Sequence, residues 1–192
     1  MPDSKKKSDV TGEDLFRRYL DGDSDAFTEL VALFENELYY YVNAIVRDSH
    51  EAKHIMIDAF ANMAVSGGKF DGRASIKTYL FTIAKNLAFK YLKMRRKEQH
   101  ISFDEITDVI PDNRDRPDEI LDKTDNENKI HESIMELKEE YRVVLVLLYF
   151  EDMSYKEAGQ IMNKSVDQIS VLSHRAKAAL KKRMESKGFV YT

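Results

Sequence analysis

The stretch 154–169, SYKEAGQIMNKSVDQI, carries the same helix-start signature twice. Ser154 is followed three residues later by Glu157, and Ser165 three residues later by Gln168. In such a pair the serine oxygen accepts from the backbone N–H three residues on. The Glu or Gln reaches back to the serine N–H, so two donors that a helix end leaves open are both satisfied. Starts this close leave room for a first helix of only about two turns. It should end near Met162, with Asn163, Lys164 and Ser165 as the turn. That layout is a helix-turn-helix. Ala158 falls where the first helix must approach the second, and Ile161, Val166, Ile169 and Leu172 supply their shared core. A DNA reader and a plain helical hairpin share this pattern, so the rest of the chain must separate them.

Upstream, the periodicity is helical nearly throughout. In DAFTELVALFENELYYYVNAIV, Phe27, Leu30, Val31, Phe34, Leu38, Tyr41, Val42 and Ile45 keep steps of three and four. Asp48 with Glu51 caps a second helix, buried through Ile55, Met56, Ala59, Phe60 and Met63. The glycine-rich VSGGKFDGR interrupts the pattern, and Ser75 starts a third helix with Ile76, Leu80, Ile83, Ala84, Leu87 and Tyr91 on its core face. No alternating strand pattern occurs, so the fold class is all-α. From Glu98 to about Asn128 the periodicity stops in a proline-containing, strongly acidic run. The expected organisation is two small helical domains, 12–97 and 129–185, joined by a flexible acidic linker over 98–128. The helix-turn-helix closes the second domain.

Composition narrows the function classes. Cysteine is absent, which excludes disulfides and thiolate metal sites. The amino-terminal MPDSKKKSDVTGED has cations but no apolar stretch behind them, unlike a secretory signal. No apolar run approaches the roughly 18 residues of a membrane span, so no membrane insertion and a cytoplasmic location are expected. The net charge of −4 conceals its distribution. Residues 73–97 hold eight Lys or Arg and no acid, whereas 98–127 hold eleven acids against three bases. Local fields of this kind matter more to a charged partner than the total.

The third helix therefore stands out. Lys77, Lys85, Lys90, Lys93, Arg95, Arg96 and Lys97 leave its apolar stripe, interleaved with Tyr79, Phe81, Phe89 and Tyr91. Cations neutralise phosphates and aromatic rings stack on unpaired bases. A solvated face with a basic last turn accounts for Lys93 to Lys97, but solvated faces usually mix signs. In the helix-turn-helix, the exposed positions of the second helix are Ser165, Asp167, Gln168, Ser170 and Val171, followed by His174, Arg175 and Lys177. A recognition helix sets its first turns against base edges while cations reach phosphates. An enzyme would need converging acid, base or metal groups. His50 and His54 stand one helical turn apart and a metal could bridge them, but no further motif completes a site. No catalytic residue, metal or cofactor is expected.

On these segments the chain resembles an extracytoplasmic-function sigma factor of bacterial RNA polymerase, from about Asp14 to Lys182. KFDGRASIKTYLFTIAKNLAFKYLKMRRK is similar to the promoter-melting and minus-ten segment, most specifically through Ile83-Ala84-Lys85-Asn86-Leu87-Ala88. EAKHIMIDAFANM resembles the segment that grips the polymerase clamp. The run from Leu137 to Lys182 resembles the domain that reads the minus-thirty-five element. Three such segments in order, across a linker, make a specific resemblance.

The resemblance implies an alternative sigma factor, not an enzyme, that binds core RNA polymerase and promoter DNA and directs melting and initiation. It assigns minus-ten contacts to Lys77, Tyr79, Lys85, Asn86, Lys90, Lys93, Arg95 and Arg96. Minus-thirty-five contacts fall to Ser165, Asp167, Gln168, Ser170, Val171, His174, Arg175 and Lys177. Polymerase contacts fall to Ile55, Asp58, Phe60 and Asn62. It also implies an anti-sigma protein that masks the domains, and a linker threading through the polymerase. Departures are His54 and Ile57 where the clamp-binding helix often has an acidic and then a polar residue, which leaves Asp58 and Asn62 as its polar contacts. Others are Tyr79 where the family usually has tryptophan, Asn163 at a common turn glycine, and Ser170 and Leu172 where basic residues are frequent. The rival reading is a two-domain helix-turn-helix regulator that binds duplex DNA without being a polymerase subunit. A structural adaptor without effect on DNA is a third.

Overall fold

The computed structural model describes residues 11–98, 130 and 132–188. Its helices are α1 (Gly12–Leu20), α2 (Ser24–Val46), α3 (Ser49–Ser66) and α4 (Ile76–Glu98), then α5 (Glu139–Tyr149), α6 (Tyr155–Met162) and α7 (Val166–Ser186). A 3-10 turn, Gly67–Lys69, follows α3. Among the described residues there is no strand, as the all-α reading expects.

Both serine boxes form. The Ser154 oxygen accepts from Glu157 N–H and the Glu157 carboxylate from Ser154 N–H; Ser165 and Gln168 repeat the arrangement. Asn163 ends α6 in the left-handed region at φ 55°, which an asparagine tolerates. Gly159 is obligatory there, since a Cβ would stand 2.7 Å from the Lys164 carbonyl oxygen. Asp48 and Ser75 cap α3 and α4 by accepting from Glu51 and Thr78 N–H. Helix α1, absent from the sequence reading, begins with another box, Thr11 with Asp14.

Helices α1 to α4 pack around Phe16, Leu30, Leu38, Tyr41, Ile45, Met63, Ile76, Leu80 and Phe81, all buried. Gly12 lets α1 press close, because a Cβ there would lie 2.7 Å from Ile76 and 2.8 Å from Phe34. Helices α5 to α7 surround Leu147, Ile161 and Ile169. The two groups are docked, α5 across α2 and α6 across α4. Buried Arg142 of α5 pins the first contact, donating to the Ala44 carbonyl of α2 at 2.8 Å and to the Leu137 carbonyl. The expected linker, Glu98 apart, lies outside the described residues, and with it the acidic residues from Asp104 to Glu119.

Candidate nucleic-acid interfaces

Helix α4 is where sequence and structure part company. Lys77 and Lys85 do not stand free on a basic face; both reach into the second group of helices. The Lys77 ammonium pairs with Glu37 of α2 at 2.8 Å and with Glu151, just after α5, at 3.0 Å. It also donates to the Glu151 carbonyl at 3.2 Å. Lys85 donates to the Ile161 carbonyl at 2.6 Å. That oxygen belongs to the last turn of α6, where carbonyls lack internal partners and the helix end is partially negative. The Ser75 hydroxyl adds a contact to Glu157 at 3.4 Å. Three residues expected to meet DNA are thus engaged within the chain, Tyr79 being the third. Its hydroxyl lies 2.8 Å from Ser66 Oγ and its ring 5.2 Å from Phe70, which ties the loop after α3 to α4.

The electrostatics of the Lys77 site are asymmetric. Burial would lower the Lys77 pKa, but the two carboxylates outweigh it and hold the ammonium above its usual range. Burial lifts the Glu151 carboxyl, and Lys77 offsets this only in part. The two directions seem opposed only if the site is taken as a pair. One ammonium serves two acids, so the lysine is compensated while buried Glu151 is only partly so. Burial likewise lowers the Lys85 pKa, with no carboxylate to restore it. Asn86 is exposed beside a cleft of about 400 Å³ between α4 and α5–α6, with Phe89, Glu139 and Met162. Lys90 and Lys93 are exposed. Arg95 and Arg96 make long pairs with Asp48 at 4.0 Å and Glu139 at 3.8 Å, weak at such exposure.

The outer face of α7 is the opposite case. Asp167, Ser170, Val171, His174 and Arg175 are all exposed. Ser165 and Gln168 lie on the same side, but their polar atoms are committed to the cap, with Gln168 Oε1 accepting from Ser165 N–H at 2.8 Å. The cap leaves the Gln168 side-chain amide N–H groups unused. Lys177 lies over the Tyr149 ring, 4.8 Å from its centre. A groove of about 360 Å³ runs beside Asp167, Gln168, Val171 and Arg175.

On α3, Asp58 and Asn62 are exposed, but Ile55 and Phe60 are not available to a partner. Both are core residues, 6% and 5% exposed, because their positions fall on the stripe that packs inward. The apolar residues that α3 does present are Ile57 and Val65, 58% and 91% exposed. Sequence reasoning also missed Glu37, Glu151 and Arg142. An arginine opening the apolar run VVLVLLYF and an acid closing it were the signals, since charges there must find buried partners. Among the described residues one cluster has metal-ligand chemistry, His50, Glu51 and His54 at the start of α3. No helix among them is long and apolar enough to cross a membrane.

Comparison with known proteins agrees with this layout. The Sigma-70 region 2 profile matches residues 30–98, and the Sigma-70 region 4 profile matches residues 127–180. The chain is 26% identical over 171 residues to the ECF RNA polymerase sigma factor SigW of Bacillus subtilis, covering 85% of this chain and 91% of that one. It is also 26% identical over 181 residues to the RNA polymerase sigma-H factor of Pseudomonas aeruginosa, covering 90% and 93%. Its fold is similar to that of CnrH, solved in complex with the cytosolic domain of CnrY, with a TM-score of 0.65 at 19% identity over 90% of this chain and 96% of that one. The sigma factor RpoE of Bartonella quintana, solved with the anti-sigma factor NepR, gives 0.64 at 18% over 83% and 96%. With both sigma-70 regions present in order and relatives matched almost end to end, the chain belongs to the extracytoplasmic-function sigma factors of bacterial RNA polymerase.

Proposed function

We propose that this sigma factor divides promoter recognition between two helices and, when free, holds the first of them shut. As a member of its family it binds core RNA polymerase and directs promoter recognition, melting and initiation. Within that role, α4 takes the single-stranded minus-ten element. Tyr79 and Asn86 meet bases, and Lys77, Lys85, Lys90, Lys93, Arg95 and Arg96 meet the backbone. The exposed face of α7 enters the minus-thirty-five major groove, with Asp167, Gln168, Ser170 and Val171 toward base edges and His174, Arg175 and Lys177 toward phosphates. Ser165 sets the helix start. Polymerase docking uses Asp58 and Asn62 with exposed Ile57 and Val65. The domain boundaries stay at 12–97, 98–128 and 129–185, and the cytoplasm is the place of action.

The observation that carries this reading is the placement of Lys77 and Lys85 against Glu151 and Ile161. A cation already paired inside the chain cannot meet a phosphate, so minus-ten binding requires α6 to part from α4. Core polymerase separates the two groups of helices. An anti-sigma protein would hold them unavailable, a reading supported by the complex of RpoE with the anti-sigma factor NepR. Run-off transcription with core polymerase tests the function. A promoter-dependent product is expected, lost on Tyr79→Ala with Asn86→Ala while polymerase association persists. Tight duplex binding without polymerase and no product with it would instead favour the regulator.

A further inference from the structure

His50 and His54 lack a further ligand in the sequence reading, and the fold supplies one. Both project from the exposed side of α3, with ring centres 4.3 Å apart. Glu51 places a carboxylate oxygen 3.9 Å from His50 Nδ1. A nitrogen from each ring and a Glu51 oxygen all lie within 4.8 Å of one another. The segment reads His50-Glu51-Ala52-Lys53-His54, two histidines a turn apart with a glutamate beside the first. That is the spacing by which a helix presents both imidazoles to one zinc ion. We propose that His50, Glu51 and His54 form a surface site for a borderline divalent transition ion such as Zn²⁺, Ni²⁺ or Cu²⁺.

The geometry needs little adjustment. Two ligands about 2.1 Å from one ion at a tetrahedral angle stand about 3.4 Å apart. Closing from 4.8 Å therefore takes about 1.4 Å, which exposed imidazoles reach by side-chain rotation. Among the described residues no hydrogen bond engages either ring, and their one ion-pair neighbour is Glu51 itself. The backbone beneath is already fixed. Asp48 accepts from Glu51 N–H at 3.1 Å, and Ala52 and Ile55 anchor the turn in the core. A cation at a helix start opposes the macrodipole, and the Glu51 and Asp48 carboxylates counter that field. Two imidazoles and a carboxylate select transition ions over Mg²⁺ and Ca²⁺ and rank Cu²⁺ above Ni²⁺ and Zn²⁺. The site lies open on the surface, so water would complete the shell.

Isothermal titration of the tag-free full chain with zinc chloride, nickel chloride and magnesium chloride tests the proposal. Zinc and nickel should bind one-to-one with a dissociation constant well below about 1 mM, and magnesium should not. His50→Ala and His54→Ala should each weaken zinc at least about tenfold, while His174→Ala leaves it unchanged. Zinc should also raise the melting temperature of the parent chain and not of the His54→Ala variant, because only an ion bound to the folded helix stabilises it. Circular dichroism confirms that the variants, altered at exposed positions, remain folded. Equal zinc affinity in the parent, His50→Ala and His54→Ala chains would overturn the site, as would absence of saturable binding up to about 1 mM.

Discussion

Helices α4 and α7 are alike in length and in their wealth of cations, yet the closed fold treats them in opposite ways. On α7, Asp167, Ser170, His174 and Arg175 face solvent. On α4, Lys77 and Lys85 are taken up by acceptors of the second group of helices, Glu151 and the Ile161 carbonyl. The count of basic residues favours α4, which rises from a stretch without a single acid. Availability favours α7. A charge pattern shows where the cations of a chain gather, and the docking of the two groups of helices decides which of them stay exposed.

The largest expected effect comes from breaking the buried contact. Glu151, 4% exposed at its side chain, is one of two acids on Lys77, and losing a charged contact of this kind costs about 1.5–3 kcal/mol while Glu37 remains. Glu151→Ala should therefore open the free chain. Its affinity for a single-stranded minus-ten oligonucleotide, followed by fluorescence anisotropy, should rise while duplex minus-thirty-five binding stays constant. Equal single-strand affinity in parent and variant would break the comparison.

Gly159→Ala attacks the other side. The added methyl meets the Lys164 carbonyl at 2.7 Å, a backbone clash inside the helix-turn-helix that should cost about 1–3 kcal/mol. Duplex minus-thirty-five binding should fall, and pull-down of core polymerase through α3 should not. The comparison sharpens further with salt. Arg175→Ala should lower the salt slope of duplex binding by the free chain by about one unit. Lys85→Ala should leave the free-chain slope unchanged and reduce it only in the holoenzyme.

The smallest effect is a pH dependence of closure. Burial lifts the Glu151 carboxyl, with Lys77 offsetting it in part, and burial lifts that of Glu139 against Arg142 and Arg96. Acids with raised values make the closed form bind more protons. Their stabilisation is complete below the ordinary carboxylate value, near 4.5, and is lost as pH rises through the raised ones. Closure should thus tighten on acidification just above that point. Lys77, also raised, acts in the same sense but only on the alkaline side, where Lys85, lowered by burial, acts against it. Small-angle scattering across mildly acidic buffers should show the radius of gyration falling with pH; a rise would contradict the assignment.

What was legible in the sequence was local. The serine boxes at Ser154 and Ser165 depend on residues three apart, so the helix-turn-helix and its left-handed Asn163 could be read without the fold. The same rule would have found α1 from Thr11 and Asp14. The partners of Lys77 and Lys85 could not be read, because Glu151 and Ile161 lie more than seventy residues away and meet them only after the domains dock. Ile55 and Phe60 show a third kind of limit. A segment resemblance assigns them to a partner, whereas helical phase turns them into the core and leaves Ile57 and Val65 outside.

The central claim, that the free chain keeps α4 under the second group of helices, is tested most directly by a distance across that contact. The chain contains no cysteine, so spin labels at Leu33→Cys on α2 and Gln160→Cys on α6, both exposed, report without background. Double electron–electron resonance should give one narrow distance distribution for the free chain and a longer one after core polymerase is added. A broad distribution in the free chain, unchanged by polymerase, would contradict the account.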